Sequence, residues 1–190
     1  MEVEISGGVP QGSVVGPLLW NATFDSVLKM PLPQGAKLPG FADDTLLVVS
    51  SKTVEELEAL ANYALRLVED RISNLSLQIA ADKIEAVLFT QKYKHGTPNI
   101  EVGGKTILLT KKMTYLGMII DGSLFFKEHM QSASAKAEMI STQLARIMPN
   151  VGGPREDRRR LLSSVVHSVL LYGAPSWAHT LNGLTSFLVM

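Results

Sequence analysis

Proline and glycine set the first limits on how this chain can fold. Two segments, Ser6–Gly16 and Pro31–Gly40, are dense in these residues. Glycine gives the backbone freedom to take irregular shapes, so the first segment is expected to be a loop. The prolines of the second segment exclude regular helix as far as Phe41, because proline lacks the amide hydrogen that a helix interior requires. The apolar stretch Pro17–Leu28 between them is therefore predicted to be a helix.

Three further helices are predicted downstream. Thr53 and Glu56 have the spacing of a capping box, in which two side chains satisfy amide groups at a helix start. Apolar residues then recur at helical spacing, at Leu57, Leu60, Ala61, Ala64, Val68 and Ile72. A second seam steps by four and three residues, through Phe126, Met130, Ala133, Ala137, Ile140, Leu144 and Ile147. A last helix is predicted over Leu161–Tyr172.

Short strands are predicted between these helices. Thr45–Ser50 is β-branched and apolar, which is typical of a buried strand, and a hairpin could turn just before it. Three more candidates are Ala86–Thr90, Ile100–Val102 and Thr114–Ile120, with a turn at Gly103–Gly104. The fold class is therefore predicted to be α+β. A boundary near Asp121–Gly122 would separate residues 1–121 from a helical lobe of residues 122–190.

Composition excludes several classes of protein. Hydrophobic residues make up 46% of the chain and charged residues 19%, which is a globular composition. Basic and acidic residues number 18 each, so nucleic-acid binding would depend on local clustering of charge. The absence of cysteine excludes disulfides, thiolate zinc sites and cysteine nucleophiles. The acidic start, Met1–Ile5, does not resemble a signal peptide, and Val165–Leu171 is too short to span a membrane, so an intracellular protein is expected.

Two clusters of charged residues could carry chemistry. Asp43 and Asp44 are adjacent carboxylates at a predicted turn, and hard oxygen ligands of this kind suit Mg²⁺. A pair of metal ions held in this way can activate a hydroxyl group and stabilise a leaving pyrophosphate. Aspartates are also common in turns for conformational reasons alone. The basic cluster comprises Arg155, Arg158, Arg159 and Arg160. It could contact phosphates, or it could simply solvate a helix end, since Glu156 and Asp157 lie among the arginines.

The residues around Asp43 and Asp44 resemble a known family. Gly40-Phe41-Ala42-Asp43-Asp44 is similar to the aromatic-x-Asp-Asp hairpin of reverse transcriptases. Upstream, Gly8-Val9-Pro10-Gln11-Gly12-Ser13 is similar to the loop that precedes the family's pocket-lining helix. The resemblance implies that Asp43 and Asp44 are catalytic and bind Mg²⁺. It also implies that Pro10, Gln11, Gly12, Phe41 and Ala42 contact the nucleotide and template.

Further segments resemble the same family in the same order. Lys83 is similar to the lysine near which the family places its proton donor to pyrophosphate, although Ile84 stands where threonine is usual. Tyr115, Leu116 and Gly117 resemble the turn that positions the primer end. Outside the family context, these would be a surface lysine and an ordinary strand and turn. The tail segments Leu144–Pro154 and Leu171–Trp177 resemble those that follow the polymerase core in insect non-LTR retrotransposons.

The resemblance implies an RNA-directed DNA polymerase fragment, with a partial palm followed by a helical thumb-like region. Its partners would be an RNA template, a DNA primer and deoxynucleotides, and the family implies the nucleus. In the family, a third carboxylate and the fingers precede the loop, where only Met1–Ser6 stands here. The chain alone is therefore expected to be inactive unless an N-terminal polymerase segment joins it, and its hairpin is expected to expose an apolar edge.

Two alternatives stay open at this point. One is a non-catalytic nucleic-acid-binding remnant that uses the arginine cluster. The other is an unrelated metal hydrolase with two carboxylates, which would explain neither the Gln11 loop nor the tail.

Overall fold

Helices and short strands alternate in the computed structural model, which describes residues 12–90, 96–147 and 155–182. The predicted α+β class is confirmed. The chain forms two compact units, one from the described parts of residues 1–86 and 92–110 and the other from those of 87–91 and 111–190. The division near Asp121–Gly122 stays a prediction. Within the described ranges, no helix is both long and apolar enough to cross a membrane.

In its described residues, the first unit contains two α-helices and most of the strands. Its helices are α1 (Gly16–Leu28) and α2 (Val54–Asn74), and Ala81–Lys83 forms a 3-10 turn. The strands up to residue 110 are β1 (Ala36–Lys37), β2 (Gly40–Phe41), β3 (Asp44–Thr45), β4 (Val48–Val49), β5 (Ala86–Val87), β6 (Ile100–Val102), β7 (Lys105–Ile107) and β8 (Leu109–Thr110). Antiparallel pairs join β1 with β4, β2 with β3, and β6 with β7.

Helix α2 organises the core of the first unit. One buried cluster contains Phe24, Val27, Leu38 and Val68, and a second contains Ala61, Ile100, Val102 and Ile107. The helical stripe predicted for α2 is therefore confirmed. The capping box is confirmed in part: Thr53 Oγ1 accepts from the Glu56 N–H at 3.2 Å, whereas the Glu56 carboxylate accepts from the Ser51 hydroxyl at 2.8 Å.

The prediction of one buried strand over Thr45–Ser50 was wrong. The segment is divided into β3 and β4, which pair with different partners, and Thr45 and Val48 are exposed. Opposite this segment lies Pro39, which has no amide hydrogen to donate to a ladder. Its carbonyl accepts from the Leu46 N–H at 2.9 Å, and regular pairing stops between the two short ladders.

The second unit is a hairpin followed by helices. It contains β9 (Lys112–Tyr115), β10 (Met118–Asp121), α3 (Lys127–Ile147), α4 (Glu156–Leu170) and α5 (Ala174–Trp177), followed by a 3-10 turn over Ala178–Asn182. Helix α3 packs against α4. Phe126 and Ala137 of the predicted α3 seam are buried.

Two further strand predictions and one helix boundary need correction. Thr114–Ile120 is not one strand, because the chain reverses at Leu116–Gly117 and β9 pairs with β10. The strand predicted over Ala86–Thr90 extends only over Ala86–Val87. The last helix begins at Glu156 instead of Leu161, so most of the arginine cluster lies inside α4.

Candidate active site

Asp43 and Asp44 lie at the tip of a tight hairpin, as the sequence predicted. Phe41 pairs with Asp44 across the two strands, which leaves Ala42 and Asp43 as a two-residue loop, the aspartate turn. Ala42 has a φ of +55°, and positive φ is the mark of tight hairpin turns whose twist matches that of the flanking strands. Residues 41–44 are all exposed. Both carboxylates are therefore accessible to a ligand from solvent.

Helix α1 holds the aspartate turn. The indole Nε1–H of Trp20 donates to the Ala42 carbonyl at 3.3 Å, and the Trp20 ring stacks on Phe24 with centroids 5.1 Å apart. At Gly40, a Cβ atom would lie 2.7 Å from Leu28 Cδ2, so the absence of a side chain lets the hairpin approach the helix closely. The helix that follows the Gly-x-Pro-Gln-Gly-Ser loop is therefore the element that positions the two aspartates.

The donor chemistry at this tip fits magnesium. Mg²⁺ keeps several water ligands and is often bound through one or two carboxylates together with substrate phosphates. Asp43 and Asp44 supply two such carboxylates from adjacent positions. In the part of the chain that the structure describes, no group of three or more histidine, aspartate or glutamate side chains could hold a metal ion. Among the described residues, the aspartate turn therefore supplies at most two carboxylate ligands to a cation.

Of the residues predicted to contact the nucleotide and template, Gly12, Phe41 and Ala42 lie among the described residues. Gly12 has a φ of +88° and open space where a Cβ atom would be, so its backbone can be approached closely. Pro10 and Gln11 lie outside the described residues. Lys83 is exposed at the end of the 3-10 turn, and over the described ranges its ammonium forms no hydrogen bond or ion pair with the aspartates. The role of Lys83 stays a prediction.

The predicted primer-positioning residues form a second tight hairpin. Tyr115 pairs with Met118, which leaves Leu116 and Gly117 as a two-residue loop, the Leu116 turn. Both loop residues have positive φ, at +48° and +76°. The Tyr172 hydroxyl donates to the Leu116 carbonyl at 2.6 Å. The turn suggested by the resemblance is thus present, and a residue from the tail is hydrogen-bonded to it.

Asp121 fixes the end of this hairpin. Its carboxylate accepts from the backbone N–H groups of Ser123 (3.0 Å), Phe125 (3.3 Å) and Phe126 (2.7 Å), and from the Ser123 hydroxyl. Partial burial raises the pKa of this carboxyl, but the hydrogen bonds together outweigh burial, so the pKa lies below its ordinary value. Asp121 therefore organises the connection from β10 into α3.

The arginine cluster is exposed at the start of α4. Arg155, the residue before the helix, and Arg158, Arg159 and Arg160 within it are all accessible to solvent. Arg160 forms an ion pair with Glu156 at 2.8 Å. The cluster thus offers charge to an anionic partner, while part of that charge is compensated on the helix itself.

Two residues that hold the turns were not predicted as site residues. Trp20 stands one helical turn before Phe24, and that spacing indicates only a shared helix face. Tyr172 lies in the Leu171–Trp177 segment that resembles the family, and this resemblance was the only signal available for it. Both side chains act on carbonyls that are distant in the sequence, by 22 and 56 residues.

Comparison with known proteins agrees with these features. Over 182 residues, the chain is 26% identical to a protein of the type-1 retrotransposable element R1DM from Drosophila melanogaster, covering 95% of this chain and 18% of that protein. It is 26% identical to a Pol polyprotein of a type-1 retrotransposable element from Nasonia vitripennis, covering 92% of this chain and 44% of the relative. Over 139 residues, it is 30% identical to the RNA-directed DNA polymerase of the mobile element jockey from Drosophila funebris, covering 67% of this chain and 14% of that polymerase.

The chain therefore spans less than half of the length of each of these three relatives. No solved structure matches it significantly. Residues 2–120 match the family described as reverse transcriptase (RNA-dependent DNA polymerase), and the relatives are proteins of insect non-LTR retrotransposons. The chain belongs to the reverse transcriptase family.

Proposed function

We propose that this chain forms the later part of the palm and the thumb of a retrotransposon reverse transcriptase, which extends a DNA primer on an RNA template. The observation that carries the proposal is the aspartate turn. It presents two exposed carboxylates and is held by the helix that follows the Gly-x-Pro-Gln-Gly-Ser loop. Membership of the reverse transcriptase family supports the reaction class.

The aspartates would act by holding magnesium. When bound, magnesium would stabilise the charge that develops as the primer hydroxyl attacks a deoxynucleotide and pyrophosphate leaves. Asp43 and Asp44 supply oxygen ligands from the hairpin tip, and the open backbone at Gly12 allows close approach by the nucleotide.

Other residues would position the substrates. Gln11 would hydrogen-bond to a base or sugar, and Lys83 would assist proton transfer to the leaving pyrophosphate. The Leu116 turn would contact the primer end, and the arginine cluster would contact phosphates of the primer–template duplex.

The decisive test is Asp43→Asn in a complete polymerase. This chain would be joined to the upstream part of the related jockey polymerase from Drosophila funebris, and primer extension would be measured with Mg²⁺. Loss of one carboxylate ligand should remove several kcal/mol of transition-state stabilisation, which reduces extension about a thousandfold. The matched control is Asp25→Asn, which removes the same charge from an exposed ion pair with Lys29 on α1. Full activity of the Asp43→Asn polymerase would overturn the assignment.

A second measurement concerns the chain by itself. We expect no primer extension by the 190-residue chain or by its Asp43→Asn variant, since two carboxylates are a small ligand set for two-metal catalysis. Extension by the chain that Asp43→Asn abolishes would show that another of its residues completes the set.

The exposed arginines favour one alternative, a nucleic-acid-binding remnant without catalysis. Duplex binding that weakens steeply with salt and is lost when Arg158, Arg159 and Arg160 are changed to glutamine would support it, provided that the joined polymerase is inactive.

A further inference from the structure

The Leu116 turn has a backbone conformation that its sequence does not favour. Leu116 and Gly117 both have positive φ. Glycine adopts this region freely, whereas a leucine there brings its Cβ close to the following carbonyl oxygen. A leucine in this position usually persists only when surrounding contacts hold it there. The turn therefore needs support from outside the hairpin.

Tyr172 supplies that support at both loop residues. Its hydroxyl donates to the Leu116 carbonyl at 2.6 Å, a short hydrogen bond between neutral groups. Its ring lies beside Gly117, where a Cβ atom would come within 3.4 Å of Tyr172 Cε1. One aromatic side chain thus fixes the carbonyl of the first loop residue and packs on the second.

Tyr172 is itself held in place by two buried rings. Its carbonyl accepts from Trp177 Nε1 at 2.8 Å and lies 3.3 Å from His129 Nε2. His129 Nδ1 accepts from the Ile119 N–H of β10 at 3.4 Å, so Nε2 carries the hydrogen that is donated to Tyr172. His129 and Trp177 are 4% and 6% exposed, and His129 links the hairpin to the tail through both ring nitrogens.

Gly173 allows the tail to come this close. It has a φ of +68°, and a Cβ atom there would lie 2.1 Å from Met118 Sδ. The chain after Tyr172 therefore packs directly on the residue that closes the Leu116 turn.

From these contacts we infer that Tyr172 is a positioning residue, which holds the Leu116 turn in the conformation that receives the primer end. The inference rests on the proposed function for its substrate, while the contacts themselves lie within one compact unit. Through the hydrogen bonds among Tyr172, His129 and Trp177, the tail segment would contribute to placing the substrate. Tyr172 acts through Leu116 and Gly117, so it is not a catalytic residue.

The first arm of the test measures the turn without any substrate. Tyr172→Phe keeps the ring on Gly117 and removes only the hydroxyl. Amide hydrogen exchange at Gly117 and Met118 should become about fivefold faster in this variant, as expected for the loss of one hydrogen bond. The matched control is Tyr63→Phe, an exposed tyrosine on α2 in the other unit. Unchanged exchange at the turn in Tyr172→Phe would overturn the positioning role.

The second arm follows the primer end on the full 190-residue chain. A DNA primer with a photo-reactive 4-thiothymidine at its 3′ end is annealed to an RNA template and crosslinked to the protein. Crosslinks within Lys112–Asp121 should fall several-fold in Tyr172→Phe, while the duplex dissociation constant stays within about twofold, because phosphate contacts dominate affinity. A merely structural tyrosine would leave the crosslinking pattern unchanged.

The two arms separate the two proposals. Faster exchange with unchanged crosslinking would overturn the role in primer placement and leave the polymerase assignment standing. If the unaltered chain gives no crosslink to Lys112–Asp121 but Asp43→Asn abolishes activity in the joined polymerase, the role in primer placement would also be overturned. The polymerase assignment would again stand. An active Asp43→Asn polymerase would instead overturn the proposed function, whatever the exchange rates at the turn.

Discussion

The aspartate turn and the Leu116 turn have the same plan but are held by different means. Each is a two-residue loop between short strands, and each has a non-glycine residue at positive φ in its first position, Ala42 or Leu116. In each, the carbonyl of that residue accepts a hydrogen bond from a distant aromatic side chain, Trp20 or Tyr172. Each unit thus stabilises a non-glycine residue at positive φ with a hydrogen bond from a distant aromatic side chain.

The two hydrogen bonds differ in length and in support. The indole bond to Ala42 is 3.3 Å long, beyond the usual range for N–H···O, whereas the phenol bond to Leu116 is 2.6 Å long. Trp20 stacks on one ring, while the Tyr172 backbone is held by two. The Leu116 turn is thus the more firmly held of the two turns, through a shorter hydrogen bond and more supporting contacts.

The largest expected loss of stability comes from a substitution that crowds the contact between Gly173 and Met118, beside the Leu116 turn. Gly173→Ala should destabilise the second unit by about 2–4 kcal/mol, because it adds left-handed strain and a clash with Met118. The matched control is Gly104→Ala, which has a φ of +73° but open space around it, and should cost only about 1 kcal/mol. Urea unfolding of both variants measures the difference. Equal losses would show that the tail does not pack tightly on Met118.

A smaller change, a gain in stability instead of a loss, is expected from a substitution in the aspartate turn. Ala42→Gly should relieve about 1–2 kcal/mol of left-handed strain and add about 0.5–1 kcal/mol of entropy cost, for a modest net gain in stability. The control Ala59→Gly, at an exposed position inside α2, should lose about 1 kcal/mol. Thermal unfolding distinguishes the two signs. A loss at Ala42 as large as that at Ala59 would contradict the strained turn.

Removing the weaker of the two hydrogen bonds should have less effect than removing the stronger. Trp20→Phe keeps an aromatic ring on Phe24 and loses the indole donor. We expect about 0.5 kcal/mol or less of destabilisation, and a roughly twofold faster amide exchange at Asp43 and Asp44. This is smaller than the effect expected for Tyr172→Phe on its own turn. A larger effect at the aspartate turn would reverse the ranking of the two supports.

The smallest expected change in stability arises from Asp121 at the end of the Leu116 hairpin, and it is confined to low pH. The pKa of Asp121 is lower in the folded chain than its ordinary value, so its carboxylate stabilises the fold above the unfolded pKa of about 3.9. This contribution should be lost as the pH falls through the lower folded pKa. Unfolding midpoints measured between pH 5 and 2 should show the decline, and Asp121→Asn should flatten it. An unchanged slope in the variant would contradict the role of Asp121.

The sequence predicted the helices better than the strands, for physical reasons that particular residues show. The seams of α2 and α3 repeat over many residues, so their periodicity is a strong signal. The strand over Thr45–Ser50 was mispredicted because its interruption lies opposite Pro39, outside the segment itself. In Thr114–Ile120, the apolar run alone indicated one strand, and only the family resemblance indicated the turn at Leu116, a residue that is unusual at positive φ.

The sequence could predict the residues of the candidate site, but it could not predict the side chains that hold its turns in place. Asp43 and Asp44 were placed at a hairpin tip from local sequence, because turn chemistry acts over a few residues. The hydrogen bonds from Trp20 and Tyr172 span 22 and 56 residues. Their formation depends on how whole elements pack, and no spacing rule along the chain contains that information.

The two tryptophans of the chain make each turn separately observable. Trp20 donates its indole N–H to the aspartate turn, and Trp177 donates its own to the Tyr172 carbonyl behind the Leu116 turn. Replacing either one with phenylalanine leaves a single emitter, whose fluorescence depends on the polarity and hydrogen bonding around one indole. Titration of the two single-tryptophan proteins with magnesium, and then with a primer–template duplex, would give each compact unit its own optical signal.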